Sequence, residues 1–293
     1  MAWVMSILVT RFAPSPSGRL HPGHAYSALV AHKAARAAGG RFLLRMEDID
    51  HSRCKDEFAA AIEDDLRWLG LDWDGPVRRQ SAHMDEYAAA LARLRSKGVL
   101  YRCFKTRREV MAESLRAPHG PGLVYHGPKT ALGADEEAAM LAAGKPFAWR
   151  LSVHAARDVL GEGWNRLGFV DLGHGPDGEH GEIRARPQTL GDVVLARKDI
   201  ASSYHLCVVH DDAVQGISHV FRGQDLFEST HMQVLIQALL ALPTPVYHHH
   251  KLICDAAGKR LATRNHAASL ATLRSNGVSA RELLQRLGFS AKR

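Results

Sequence analysis

Arg11-Phe12-Ala13-Pro14-Ser15-Pro16-Ser17-Gly18-Arg19-Leu20-His21-Pro22-Gly23-His24 is the stretch on which the reading of the fold turns. Ahead of it, Met5-Ser6-Ile7-Leu8-Val9-Thr10 is a short apolar run suited to a buried strand, and behind it the Ala-rich segment from Ala25 to Ala38 favours a helix. Proline and glycine punctuate the loop between them. A strand that passes through such a loop into a helix presents backbone N–H groups at the positive end of the helix dipole, a combination that favours phosphate. His21 and His24 flank that terminus and offer ring N–H donors to phosphate oxygens. Taken alone, an H-x-x-H pair is equally compatible with a fragment of a metal site or with exposed histidines.

The chain has 293 residues, enough for a well-buried core and for two domains, or for one domain carrying a large insertion. Its 46% hydrophobic and 24% charged content is that of a soluble globular protein rather than a disordered or fibrous one. A net charge of +7 suits an anionic partner such as nucleic acid. Cys54, Cys103, Cys207 and Cys254 are far apart and form no C-x-x-C pair, which argues against a disulfide framework and points to a reducing, cytoplasmic setting. No run approaches the roughly 18 apolar residues of a membrane helix, and no targeting leader is expected.

Gly39-Gly40 ends the Ala-rich helix, and Arg41 to Met46 reads as a second strand. That strand delivers Glu47-Asp48-Ile49-Asp50 to its carboxyl end, where open parallel sheets bind ligands. The cluster is placed to meet a small cationic group, and its aspartates are equally suited to capping the next helix. From Asp56 to Leu69, Phe58, Ile62, Leu66 and Leu69 fall at helical spacing, with Glu57, Glu63, Asp64 and Asp65 expected on the surface. Further on, Leu190 to Arg197 reads as a strand with a turn at Lys198-Asp199, and Ile217 to Leu226 as a strand running into a helix. His248, His249 and His250 are consecutive in a strand, so their side chains alternate faces and do not converge on a metal; they are expected to be structural or close to nucleic acid.

The fourteen-residue opening resembles the signature of class I glutamyl-tRNA synthetases, and the resemblance extends over nearly the whole chain. Arg45-Met46-Glu47-Asp48-Ile49-Asp50, Tyr204 to Asp212 and His219-Val220-Phe221-Arg222-Gly223 resemble further motifs of that family. The resemblance implies an α/β class, with a Rossmann-like parallel sheet split by an insertion and followed by a short helical C-terminal region. The expected boundaries are 1–98 and 190–254 for the two catalytic halves, 99–189 for an acceptor-binding-like insertion and 255–293 for the signature loop and C-terminal helices, without an anticodon-binding domain. It further implies that His21, Gly23 and His24 bind ATP, with Mg²⁺ accompanying it. Arg11, Phe12, Ala13, Pro14, Ser15, Glu47, Tyr204 and Arg222 would bind L-glutamate: Glu47 receives the α-ammonium, and Arg222 pairs with the side-chain carboxylate through parallel hydrogen bonds. Asp225 is expected to fix the local loop. In the insertion, Arg102, Lys105, Arg107, Arg108, Arg116 and Lys129 would offer a basic edge to tRNA phosphates.

Two departures from the family pattern matter. Short relatives carry zinc on a C-x-C pair and a later Y-x-x-x-C; here the corresponding residues are Cys103, Lys105, Tyr125 and Lys129. Lysine cations do not complete a tetrahedral zinc site, so no zinc is expected, although His119 and His126 remain as substitute ligands. The family's K-L-S-K signature reads Arg260-Leu261-Ala262-Thr263-Arg264 here. Arg260, Leu261 and Thr263 are expected at ATP, and Lys259 or Arg264 in the catalytic role of the absent lysine. The length matches the short paralogues that join glutamate to queuosine in the anticodon of tRNA(Asp), and a monomer is expected. A fragment of an ordinary glutamyl-tRNA synthetase, or a glutamate- and ATP-binding paralogue with impaired catalysis, remain the alternatives.

Overall fold

The computed structural model describes residues 7–116, 124–127, 132–197, 200–254 and 268–289. The first half comprises β1 (Val9–Phe12), α1 (Pro22–Ala37), β2 (Arg41–Met46), α2 (Asp56–Trp68), β3 (Arg78–Arg79) and α3 (Met84–Ser96). Then come β4 (Leu100–Cys103), α4 (Arg107–Arg116), α5 (Ala134–Ala142), β5 (Ala148–Leu151), α6 (Val153–Leu160), β6 (Gly168–Asp171), β7 (Gly181–Arg184) and β8 (Val194–Arg197). The remainder is α7 (Tyr204–Val214), β9 (His219–Gly223), α8 (Phe227–Leu240), β10 (Val246–His250), α9 (Leu270–Ser275) and α10 (Ala280–Arg286).

Strands β1, β2 and β3 form one parallel sheet, and β9, β10 and β6 form another, with β7 antiparallel at its edge. The two sheets meet where Ser218 N donates to Val9 O (3.0 Å) and Val9 N donates to Ser218 Oγ (2.8 Å). No ladder joins β1 to β9 among the described residues, so their carboxyl ends border a crevice, as expected at a switch point of an α/β sheet. One apolar core lies around α7, α8 and β10, the other around α1, β2 and α2. Leu270 of α9 and Leu283 of α10 are buried in the second core, so the C-terminal helices pack on the first half of the chain.

Several sequence expectations are adjusted. The strand expected over 5–10 is found over Val9–Phe12, running into the motif itself; a buried arginine is tolerated at Arg11 because Asp212 pairs with it. The helix expected from Ala25 starts at Pro22, whose fixed φ and missing N–H suit a first helical position. The strand expected over 190–197 is shorter, because Asp192 N donates to Tyr125 O (2.6 Å) ahead of it. Sheet membership also crosses the expected insertion limits. β6 pairs with β10 in the main sheet, whereas β8 joins β4 and β5 in a separate antiparallel sheet. Asp65 is buried at 3% exposure rather than lying on the surface, and burial raises its carboxyl to about 6.

Candidate active site

The N-terminus of α1 is closed by the two histidines of the opening motif. Gly23 N donates to His21 Nδ1 (3.1 Å), and His21 N donates to His24 Nδ1 (3.3 Å). This reciprocal arrangement satisfies two N–H groups that a helix start leaves without intrahelical partners. The rings stack with centroids 3.7 Å apart. Because each Nδ1 accepts, the neutral rings carry their protons on Nε2, the tautomer that can donate to a phosphate oxygen.

Across the crevice, the loop after β1 is tied to the end of β2 by Glu47 N donating to Pro14 O (2.9 Å). Arg11, Phe12, Ala13, Pro14, Ser15, His21, Gly23, His24, Glu47, Tyr204 and Arg222 all line one cavity of about 270 Å³. Residues from four separate parts of the chain are thereby brought together. The expected residues Lys259, Arg260, Leu261, Thr263 and Arg264 lie outside the described residues, as do Lys129, His119 and the Lys198-Asp199 turn.

Charge in the cavity wall is arranged by buried partners. Arg222 is 4% exposed. Its Nε donates to His249 Nε2 (3.0 Å) and its Nη2 to Thr230 Oγ1 (2.6 Å). Its Nη1 is buried with no hydrogen-bond partner among the described residues. Arg11 instead engages Asp212 through Nε (3.2 Å) and Nη2 (3.3 Å), so much of its charge is balanced within the protein. Arg45, fully buried, donates to Asp212 (2.8 Å), Gln215 (2.9 Å) and Glu47 (3.3 Å). Burial raises the Glu47 carboxyl above its ordinary range, against the opposing pull of Arg45 and Arg11.

Of the acidic cluster, Glu47 alone reaches this cavity. Asp48 accepts from Ser81 N (2.8 Å) and Oγ (2.9 Å) and Asp50 accepts from Ser52 Oγ (2.6 Å), so neither caps the next helix as expected; α2 starts after Lys55 without a side-chain cap. Asp50 also borders a second cavity of about 380 Å³, which shares Ser15, Glu47 and Tyr204 with the first.

Sequence reasoning missed part of the wall. Ser27, Phe221, Asp225 and His250 also line the first cavity, and Ser27 Oγ lies 2.9 Å from His250 Nε2. The signal was present in the alternation of β10: His248 stacks on Phe221, His249 turns to the buried side and His250 returns to the cavity.

In the insertion, Arg102 pairs with Glu137 (2.7 Å) and lies over Trp149 (4.7 Å). Arg107 and Arg108 are exposed. Cys103 is buried, His126 is exposed, and Lys105 Nζ lies 5.8 Å from the centroid of the Tyr125 ring. A cation there does not suit the fourfold anionic and neutral donor set of structural zinc.

The family model for class I tRNA synthetases (E and Q), catalytic domain, matches residues 7–159 and 171–292. The chain belongs to this family. The glutamyl-Q tRNA(Asp) synthetase of Rhodobacter capsulatus is 48% identical over 291 residues, spanning 96% of this chain and 100% of that protein. That of Symbiobacterium thermophilum is 40% identical, over 97% of this chain and 86% of that one. Glutamate–tRNA ligase 2 of Acidiphilium cryptum is also 40% identical, but only 60% of its length is covered. Among solved structures, the glutamate-tRNA synthetase of Elizabethkingia anophelis superposes with a TM-score of 0.73 at 27% identity, over 89% of this chain and 53% of that one. The chain thus spans about half the length of that synthetase. As a class I synthetase, it is a ligase with the α/β catalytic fold of its family and with ATP as substrate.

Proposed function

We propose that the chain activates L-glutamate with ATP and transfers it to queuosine in the anticodon of tRNA(Asp), the reaction named for its relatives of similar length. An oxygen of the glutamate α-carboxylate attacks the α-phosphorus, and pyrophosphate leaves. A hydroxyl of the modified nucleoside then attacks the acyl carbon, and AMP leaves with the bonding electrons. Neither step needs a protein nucleophile; orientation and neutralisation of developing phosphate charge supply the rate. His21 and His24, with the start of α1, are assigned to the phosphates. Glu47 is assigned to the α-ammonium and Arg222 to the side-chain carboxylate. Mg²⁺ is expected with the triphosphate, held chiefly by phosphate oxygens and water.

The observation that carries this reading is Arg222, which lines the same cavity as Glu47 and whose buried Nη1 has no hydrogen-bond partner among the described residues. A ligand with a carboxylate at one end and an ammonium at the other satisfies both. Glutamine in its place would leave the guanidinium without a counter-charge, which gives the site its means of discrimination.

The test is glutamate-dependent ATP–pyrophosphate exchange without tRNA, followed by transfer of labelled glutamate to queuosine-containing tRNA(Asp). Label that survives 3′-end trimming supports the proposal; label lost by trimming, or accepted only by tRNA(Glu), supports ordinary aminoacylation instead. Thr263, in place of the signature lysine, favours a second reading in which both ligands bind without reacting. Binding of glutamate and ATP with no exchange selects it.

A further inference from the structure

Behind Arg222 lies a set of buried groups that the activation chemistry does not use. His249 is 2% exposed, and Asp171 is fully buried. Asp171 Oδ1 accepts from Gly173 N (2.9 Å) and from His249 N (3.1 Å), which fixes the carboxylate on two backbone donors. Its other oxygen, Oδ2, makes a short hydrogen bond with His249 Nδ1. Gly173 is sterically required beside them, because a Cβ there would collide with the backbone of His249.

The protons along this line are determined. Arg222 Nε–H can only donate, so His249 Nε2 must accept, and the proton of the neutral ring sits on Nδ1 facing Asp171. Burial holds the imidazole below its ordinary pKa despite Asp171, in keeping with a neutral ring. Thr230 completes the seat, since its hydroxyl donates to Leu226 O (3.3 Å) and accepts from Arg222 Nη2 (2.6 Å). Two of the guanidinium's three nitrogens are thus locked, and the third, Nη1, is buried with no hydrogen-bond partner among the described residues.

We propose that Asp171 and His249 are positioning residues for substrate specificity: Asp171 sets the His249 tautomer, and that tautomer orients Arg222 for a carboxylate. The proposal rests on the reading that Arg222 meets the side-chain carboxylate of the substrate. Neither residue lines the cavity, so both act through Arg222. An orienting partner of this kind resembles the outer groups that fix histidine ligands at metals, here applied to an arginine.

Asp171→Asn is the informative substitution because it is nearly isosteric. Its amide oxygen is kept by the two backbone N–H groups, so its NH₂ faces His249 Nδ1. The ring must then place its proton on Nε2, donor against donor with Arg222 Nε. The KM for glutamate should rise roughly tenfold or more, as expected for a displaced charge-assisted hydrogen bond. By contrast kcat should change little, and the preference for glutamate over glutamine should shrink. His249→Gln is the conservative variant, since its side-chain oxygen can replace Nε2 as acceptor. It should retain most of the preference, and adding Asp171→Asn to it should produce no further rise in KM. Nitrogen-15 NMR of the ¹⁵N-histidine-labelled wild-type protein should place the His249 proton on Nδ1.

A His249 proton on Nε2 in the wild type, or an Asp171→Asn protein with unaltered KM and unaltered preference, overturns the proposal. A wild-type protein that activates no glutamate, yet carries the Nδ1 proton, overturns the functional reading instead.

Discussion

Arg45 Nη1 donates to Asp212 Oδ1 across 2.8 Å, with the two side chains 0% and 8% exposed. The same carboxylate receives Arg11, so one aspartate serves two guanidiniums, one bordering the crevice and one beneath it. The two arginines hold its carboxyl below the ordinary range in spite of burial. Removing it takes from Arg11 its carboxylate partner in a dry setting and leaves Arg45 with Gln215, Glu47 and Asp211. Asp212→Ala should lower the unfolding free energy by about 3–5 kcal/mol, the usual cost of breaking a buried pair from one side. Equilibrium urea denaturation measures this, and a loss below about 1 kcal/mol, the range of an exposed pair, contradicts it.

His21 has two separable duties. Its Nδ1 caps α1, while its Nε2–H belongs to the edge assigned to ATP. His21→Asn retains a good capping residue and removes the ring donor, so stability should stay within about 1 kcal/mol. Exchange activity should nevertheless fall by roughly 10²-fold, the order seen when one donor to a developing charge is removed. His21→Ala should lose both. Equal activity in the Asn variant and the wild type would mean that the histidine serves only the helix.

These two sites mark what was legible in the sequence and what was not. The β1–α1 unit and the acidic cluster containing Glu47 were accessible because each belongs to a local pattern, a helix start or a strand end, whereas Tyr204 and Arg222 were reached only through the resemblance to the synthetase motifs. The Arg11–Asp212 pair spans 201 positions, and nothing in either segment announces it. Likewise β6 and β8 are four-residue strands flanked by loops, too short for periodicity to reveal that they belong to different sheets. In β10 the period of two separated His249 from its neighbours, but only packing against β6 and β9 decides which face is core and which is cavity. Asp65 was misplaced because its helical position was read from polarity, whereas it is buried beside Leu66 of the second core.

Acid should weaken the fold through half-buried histidines. His205 is pushed down to about 4 by burial and then by Arg222, and His248 to about 4 by burial and then by His219. Between pH 6.5 and about 4 the unfolded chain takes up protons that the folded chain refuses, so stability is full above this window and declines as pH falls through it. For the more enclosed His205 the loss approaches about 3 kcal/mol at the lower end, at about 1.4 kcal/mol per unit. Urea unfolding at pH 7 and pH 5 should show lower stability at pH 5, with a smaller difference in His205→Gln. A difference unchanged by that substitution would remove His205 from the account.

The positions that hold zinc in related proteins should remain without it. Lys105, beside Tyr125, brings a positive charge to where a thiolate would be needed, and Lys129 does the same in sequence. Metal analysis of the purified protein should find well under one zinc per chain, and a chelator should leave the melting temperature unchanged. Stoichiometric zinc would implicate His119 or His126 as replacement ligands.

The last question concerns the leaving pyrophosphate. Its charge must be met in the transition state, and Thr263 carries none. Three cations flank it in sequence: Lys259, Arg260 and Arg264. If Lys259 or Arg264 takes over the role, its replacement by alanine should lower the rate of exchange by roughly 10²–10³-fold while the KM for glutamate stays constant. The split follows because such a cation acts on charge that appears only as the P–O bond breaks, not on the bound amino acid. Thr263→Lys should raise the rate in the wild-type background and restore it in the impaired variant. Should Lys259→Ala and Arg264→Ala both exchange at the wild-type rate, neither residue neutralises the leaving group.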